Sequence, residues 1–279
     1  MITTVLKHQP TKFAVYARLV ARRHASAVAA SSVAAPIAAA TSATTTTSTF
    51  ELCDPNPELV DARLAPSNFV PSLAVVYRDF CTEEEAQSLV SDVQVCLKRR
   101  RYEMGHWDSV IVNYKETELH DEESIISSDI SKNLLDRVRY QLQERHLSHK
   151  DFTWLPCHVI DLHKDGELNA HVDSVRFSGD IVAGLSLLSP SIMRLVPDDD
   201  GDVKHGLVER KKHEAAVGVN WVDLYLPPRS LYVLADAGRY HYSHQLLPSG
   251  SVFCSNEEEG PITVQRDHRI SVIFRDAKD

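Results

Sequence analysis

His171 and Asp173 stand two residues apart in the run Leu168-Asn169-Ala170-His171-Val172-Asp173-Ser174. On a strand, residues i and i+2 share a face, so an imidazole and a carboxylate at that spacing reach one metal ion. A second histidine from elsewhere would complete a 2-His-1-carboxylate face, the set that holds non-haem iron(II) with coordination positions left open. The tripeptide alone is a weak signal, and the downstream histidines decide its weight. These are His205, His213, His241, His244 and His268, of which His244 is the best placed, 71 residues beyond Asp173. That gap accommodates the several strands a barrel needs if opposite walls are to meet at one ion. Read instead as a helix, His241 and His244 would share a face and could form a zinc pair. The surrounding Tyr, Val and Leu favour a strand, which points the two to opposite faces and leaves His241 as a surface or packing residue.

The last strand-like run is Arg269-Ile270-Ser271-Val272-Ile273-Phe274-Arg275. Period-2 reading puts Arg269, Ser271, Ile273 and Arg275 on one face and Ile270, Val272 and Phe274 on the other. A guanidinium taken out of water needs an anionic partner. A dicarboxylate fits, because the planar fork grips carboxylates through two bonds. Structural ion pairs with Asp or Glu are the alternative use of both arginines.

In this order, His-x-Asp, a distal His and Arg-x-Ser-x-x-x-Arg resemble the AlkB-type 2-oxoglutarate- and iron(II)-dependent dioxygenases. The local strings HVDSVRF, AGLSLLSPSIMRLV, SLYVL, YSH and RISVIFR, with RRRYEMGHWDSVIVNYKETE upstream, are similar to a mitochondrial member of that family. The likeness covers most of residues 70–275. It implies His171, Asp173 and His244 as iron ligands and Arg269 on the distal carboxylate of 2-oxoglutarate. It also implies Arg275 and Ser271 nearer the keto-acid end and Tyr232 as a hydroxyl donor to the cosubstrate. The cofactors it implies are Fe(II), 2-oxoglutarate and O2, with succinate and CO2 released as a protein or small-molecule substrate is oxidised in the mitochondrial matrix. A role in programmed necrosis and fatty-acid metabolism comes with the resemblance alone. The sequence departs from the family pattern in a longer stretch from Asp198 to Val222, and in Ser271 where that pattern has Asn. Two other readings stay open: a mitochondrial RNA or nucleic-acid demethylase, and a catalytically inert binding scaffold.

Charge bears on the partner. The chain carries 39 acidic and 30 basic residues, net −9. Lys7, Lys12, Arg18, Arg22 and Arg23 lie in the first 50 residues with no acid among them, which leaves 25 basic against 39 acidic residues, −14, for the rest. An acidic body is a poor match for nucleic-acid phosphate. The basic, acid-free, Ala/Ser/Thr-rich residues 1–50 have the composition of a mitochondrial transit peptide or a disordered tail. Ala25–Ala40 is broken by serines and Pro36, so no membrane span is expected. Five cysteines, an odd number with no C-x-x-C pair, point to a reducing compartment without disulfides or a zinc finger. A monomer is expected.

The elements that must position these residues read as follows. Residues 51–151 form a lead-in with supporting helices, and residues 152–279 a jelly-roll core with a charged insertion at 198–220. Leu73–Tyr77 is a short strand. Thr82 and Glu85 spell a capping box, followed by Ala86, Leu89, Val90, Val93 and Leu97 at helical spacing. Lys98-Arg99-Arg100-Arg101 then reads as a helix C-terminus in preference to a nucleic-acid patch. Trp107–Tyr114 alternates loosely as a strand, and Ser128/Asp129 cap a second helix bearing Ile130, Leu134, Leu135, Val138 and Leu142. Strands are predicted at Phe152–Leu162, Leu168–Val172, Ile181–Leu188, Ile192–Val196, Val222–Leu226, Leu231–Leu234, Tyr242–Leu246 and Ile270–Phe274. This pattern predicts a mainly β fold, a double-stranded β-helix (jelly-roll, cupin-like) barrel buttressed by N-terminal helices. Asp198-Asp199-Asp200-Gly201-Asp202 lacks the sixth-position Gly of a calcium loop and reads as an acidic turn.

Overall fold

A computed structural model of the 279-residue chain describes residues 50–105, 110–120, 122–148, 150–176, 178–198, 220–254 and 260–278. The expected transit segment up to residue 49, Trp107, and residues 199–219 of the charged insertion lie outside the described residues, as do His205 and His213.

Six strands form the larger sheet: β2 (Ala74–Tyr77), β3 (Ile111–Leu119), β4 (Cys157–Leu168), β5 (Ser178–Leu187), β8 (Ser230–Ala235) and β12 (Arg269–Ala277). They are ordered β2-β8-β5-β12-β4-β3, every pair antiparallel. The smaller sheet is ordered β1-β7-β6-β9, from β1 (Val60–Asp61), β6 (Ser191–Pro197), β7 (Val222–Leu226) and β9 (Tyr242–Leu246). A separate hairpin pairs β10 (Ser251–Phe253) with β11 (Ile262–Val264). Along the chain, strands pass between the two larger sheets in the order of a double-stranded β-helix: β4, β5, β8 and β12 in one, β6, β7 and β9 in the other. This is the jelly roll expected from the strand count.

The predicted strand Leu168–Val172 is the main correction. β4 runs on to Leu168, and beyond it only His171 pairs, in an isolated bridge to His244 that adds one residue to the edge of the smaller sheet. The long end of β4 (Lys164-Asp165-Gly166-Glu167) and β3 (with Lys115-Glu116-Thr117-Glu118) were poorly bounded from sequence for one reason. Together they form the outer ladder of the larger sheet, where only β4's first part has two partners, and an edge need not be apolar.

Side-chain alternation divides the core. Ile270, Val272 and Phe274 of β12, with Leu231 and Val233 of β8, face two helices, α1 (Glu83–Leu97) and α3 (Asp129–His146). Leu162, Met193, Leu195, Leu224, Tyr232 and Leu234 form a second cluster involving both sheets. In α1 the capping box is present: the Glu85 N–H donates to Thr82 Oγ1 at 3.2 Å and the Thr82 N–H to the Glu85 carboxylate at 2.8 Å. Leu89, Val93 and Leu97 are buried at four-residue spacing, each contributing about 1.5–3 kcal/mol through burial. The helix ends at Leu97 with Lys98 as its cap, so the basic run follows the helix rather than forming its last turn.

Helix α3 buries Leu134, Leu135, Val138 and Leu142 as expected, whereas Ile130 is exposed. Its N-terminus differs from the sequence reading. Ser128 occupies the cap position but makes no side-chain cap bond. The carboxylate of Asp92, reaching over from α1, accepts the Ser127 and Ser128 N–H groups at 3.3 and 3.4 Å and the Ser127 hydroxyl at 2.7 Å. Two short helices were not anticipated: α2 (Glu122–Ile125) and α4 (Asp236–Tyr240), the latter directly before β9.

Candidate metal centre

His171 and Asp173 lie in the irregular segment after β4, and His244 on β9. Ligand atoms from the three side chains lie within 4.8 Å of one another. Asp173 Oδ1 is 3.3 Å from His171 Nε2 and 3.7 Å from His244 Nε2. Strand spacing does not bring them together. Instead the His171 N–H donates to the His244 carbonyl at 3.1 Å, and the His244 N–H returns a bond to the His171 carbonyl at 2.8 Å. The His171 Nδ1 lies 2.8 Å from the Asn169 carbonyl. Donating there orients the ring with Nε2 toward Asp173, a common arrangement behind a metal-binding imidazole.

The electrostatics suit a cation. Burial, with His171 alongside, pushes His244 down to about 3, so its imidazole is neutral. Burial would raise the Asp173 carboxyl, but the His171 hydrogen bond and the nearby His244 and Arg275 hold it well below the ordinary range. Two imidazoles and one carboxylate, half-buried to buried, are a competent donor set for iron(II).

β12 supplies the rest. Arg269 is buried, 3% exposed, and its Nε donates to Ser186 Oγ of β5 at 3.1 Å. Its Nη2 is buried without a protein partner, as are the Ser271 hydroxyl and Arg275 Nε. Arg275 approaches Asp173 Oδ2 at 3.7 Å and His158 Nδ1 at 3.4 Å; His158 in turn lies 3.1 Å from Glu116. Tyr232, on β8, is buried beside Arg269, and burial raises its phenol so that it stays a proton donor. Opposite Tyr232 in the ladder is Gly184. A Cβ at Gly184 would collide with the Tyr232 ring, so the glycine makes room for it. Buried donors of this kind are costly when unmet. Their number and sign fit a dicarboxylate laid across β12.

All seven residues singled out from the sequence (His171, Asp173, His244, Tyr232, Arg269, Ser271 and Arg275) are therefore among the described residues and near one another. His241 follows α4 and is exposed. His268 is engaged elsewhere, 2.6 Å from Asp161. Sequence reasoning missed Ser186, Gly184, His158 and Arg239. A lone Ser and a Gly inside the apolar run of β5 were readable hints for the first two; Arg239 had no such signal.

No protein-family model matches the chain. It is 38% identical over 205 residues to the mouse (Mus musculus) alpha-ketoglutarate-dependent dioxygenase alkB homolog 7, mitochondrial, covering 72% of this chain and 77% of that protein. The cattle (Bos taurus) protein of the same name is 36% identical over 202 residues, with the same coverage. Among solved structures, a Trichoplax adhaerens prolyl hydroxylase in complex with a hypoxia inducible factor peptide aligns with TM-score 0.46 at 10% identity, over 74% of this chain and 83% of that one.

Proposed function

Because the chain belongs to the AlkB-type 2-oxoglutarate-dependent dioxygenases, and works with iron(II), 2-oxoglutarate and O2, we propose that His171, Asp173 and His244 hold the iron. On this reading, Arg269, Ser271, Arg275 and Tyr232 hold the cosubstrate. The observation that carries this reading is the coincidence of two sets. Three ligand atoms gather within 4.8 Å, and three buried donors near them lack acceptors. Iron(II) bound there supplies O2 activation coupled to decarboxylation of 2-oxoglutarate to succinate and CO2. The protein's own part is geometric and electrostatic. His171 and His244 bring Nε2 to 3.3 and 3.7 Å from the Asp173 carboxylate. Arg275 lies between Asp173 and His158 and restrains that carboxylate. Arg269 and Tyr232 pin the far carboxylate of the cosubstrate and so fix its register along β12.

The substrate in this reading is a protein side chain or small molecule of the mitochondrial matrix, and the protein acts as a monomer. The −14 balance beyond residue 50 supports a non-nucleic-acid substrate. The acid-free first 50 residues, read as a transit peptide, and the mitochondrial label of both relatives support the compartment. No described helix is long and apolar enough to cross a membrane. In this reading residues 51–151 support the core of 152–279 with helices and also supply β1, β2 and β3 to its sheets, and a role in programmed necrosis and fatty-acid metabolism rests on the resemblance alone.

The test is spectroscopic. Anaerobic iron(II) followed by 2-oxoglutarate should give a visible metal-to-ligand charge-transfer band with the wild-type protein and none with His171→Ala. Folded wild-type protein without the band would return the inert-scaffold reading to the front. A bandshift with methylated RNA at low salt separates the substrate classes: binding there would favour the demethylase.

A further inference from the structure

The segment from Asn169 to Arg176 carries two of the three candidate ligands, yet among its described residues only His171 has a strand partner. Asp173 therefore needs another anchor. Arg239 is positioned to be that anchor. It lies on α4, is 2% exposed, and reaches into the segment. Its Nη1 donates to the Asp173 carbonyl at 3.1 Å. Its Nη2 donates to the Ser174 carbonyl at 3.1 Å and to Ser178 Oγ at 2.6 Å. Ser178 Oγ donates its own hydrogen bond to the Ser174 carbonyl at 3.0 Å. The helix is itself pinned: a Cβ at Gly238 would overlap the Leu73 carbonyl, so α4 lies directly against that backbone. Five residues on from Arg239 comes His244. One guanidinium thus ties the segment bearing Asp173 to the segment that leads into the distal histidine.

We propose that Arg239 is a positioning residue that aims the Asp173 carboxylate at the metal and so sets iron(II) affinity without touching the ion. The inference rests on the iron assignment above. The chemistry favours Arg: a fixed fork of donors reaches three acceptors at once, whereas a lysine ammonium offers one compact point. Without it the Asp173 carbonyl would lose this donor, whereas the Ser174 carbonyl would keep that of Ser178 Oγ, so the restraint lost is the one on the peptide that leaves Asp173.

The experiment compares full-length wild type with Arg239→Gln, Arg239→Lys and Ser178→Ala. Iron(II) is titrated anaerobically at saturating 2-oxoglutarate, and the charge-transfer band is read. Loss of an outer support of a metal ligand typically weakens metal binding roughly 10–100-fold, and that is the expected rise in apparent Kd for Arg239→Gln. Lysine should recover part of it, and Ser178→Ala should shift it less, in the same direction. The 2-oxoglutarate Kd at saturating iron should stay near wild type. In metal-free protein, hydrogen exchange should quicken at residues 171–178 while the β12 amides keep their protection. Folded Arg239→Gln with wild-type iron affinity overturns the proposal. So does exchange that quickens uniformly, which marks a merely structural arginine. If Arg239→Gln does not fold, Arg239→Lys and Ser178→Ala decide by the same criteria. Absence of the band in the wild type would overturn the iron assignment first, and this inference with it.

Discussion

His171 and His244 are backbone partners: each donates its N–H to the other's carbonyl, at 3.1 and 2.8 Å, with the two rings 4.2 Å apart between centroids. Main-chain pairing, independent of any ion, therefore brings the two imidazoles together before metal arrives. A pre-paired site avoids ordering two chain segments at the moment of binding.

Arg269→Gln should weaken 2-oxoglutarate and leave iron(II) nearly unchanged. The side chain is buried with one donor unmet, so the loss is of a charge-assisted bond, about 1.5–3 kcal/mol or on the order of 10–100-fold in Kd. Pyruvate, which lacks the distal carboxylate, should bind both proteins alike. Equal losses for the two ligands would place Arg269 elsewhere in the mechanism.

Gly184→Ala should act on the same ligand from the opposite strand. The added methyl displaces the Tyr232 ring. Overpacking of this kind costs about 1–3 kcal/mol of stability, and the displaced phenol should raise the 2-oxoglutarate Kd several-fold. Isothermal titration would read the second effect and a thermal melt the first. A lower melting temperature with unchanged cosubstrate affinity would separate Tyr232 from the ligand.

Asp92→Ala should destabilise a helix it does not belong to. It removes the acceptor for two N–H groups at the start of α3. Cap losses run about 0.5–2 kcal/mol, a fall of roughly 2–4 °C in melting temperature per kcal/mol for a chain of this size. Exchange should quicken first at Ser127 and Ser128. Protection unchanged there would refute the remote cap.

Two histidines should give stability a pH dependence of opposite sign. Burial pushes His146 down from 6.5 to about 4, with the Tyr77 hydroxyl 3.1 Å from its Nε2. Its contribution is complete above the unfolded value and falls as pH drops from 6.5 toward 4, because only the unfolded chain takes the proton there. His268 is raised by its hydrogen bond to Asp161. Its contribution is present below the unfolded value and is lost as pH rises through the folded one. His268→Asn should therefore lower the melting temperature more near about pH 6 than near about pH 9, and His146→Gln should flatten the acid limb. Equal effects of His268→Asn at both pH values would show that the pair is not charge-linked.

Several of these features were legible in the sequence, and the physical reason is local. The alternation of β12 and the capping box of Thr82 are both set by neighbours within a few residues. What was not legible depends on distant chain. The partner that caps α3 stands 35 positions away at Asp92. Arg239 reads as one more surface-type residue until α4 is packed. The strand expected at Leu168–Val172 failed because a single bridge, not a ladder, is what holds His171 in place. β3 is longer and more polar than period-2 reading allowed, since an edge strand is paired on one side only.

β12 lies between β4 and β5 in the larger sheet, with three apolar side chains toward the helices and two guanidiniums on the other face. Both patterns are written on one backbone at alternate positions. Point substitutions on either face can be tried singly, but a one-residue insertion or deletion between Arg269 and Arg275 exchanges the faces beyond it at a stroke. That would drive a guanidinium into the aliphatic layer and turn apolar side chains onto the face that carries the arginines. Lineages carrying this fold should vary here by substitution while keeping the length of the segment fixed. A library that randomises its residues should yield folded proteins far more often than one that alters its length by one.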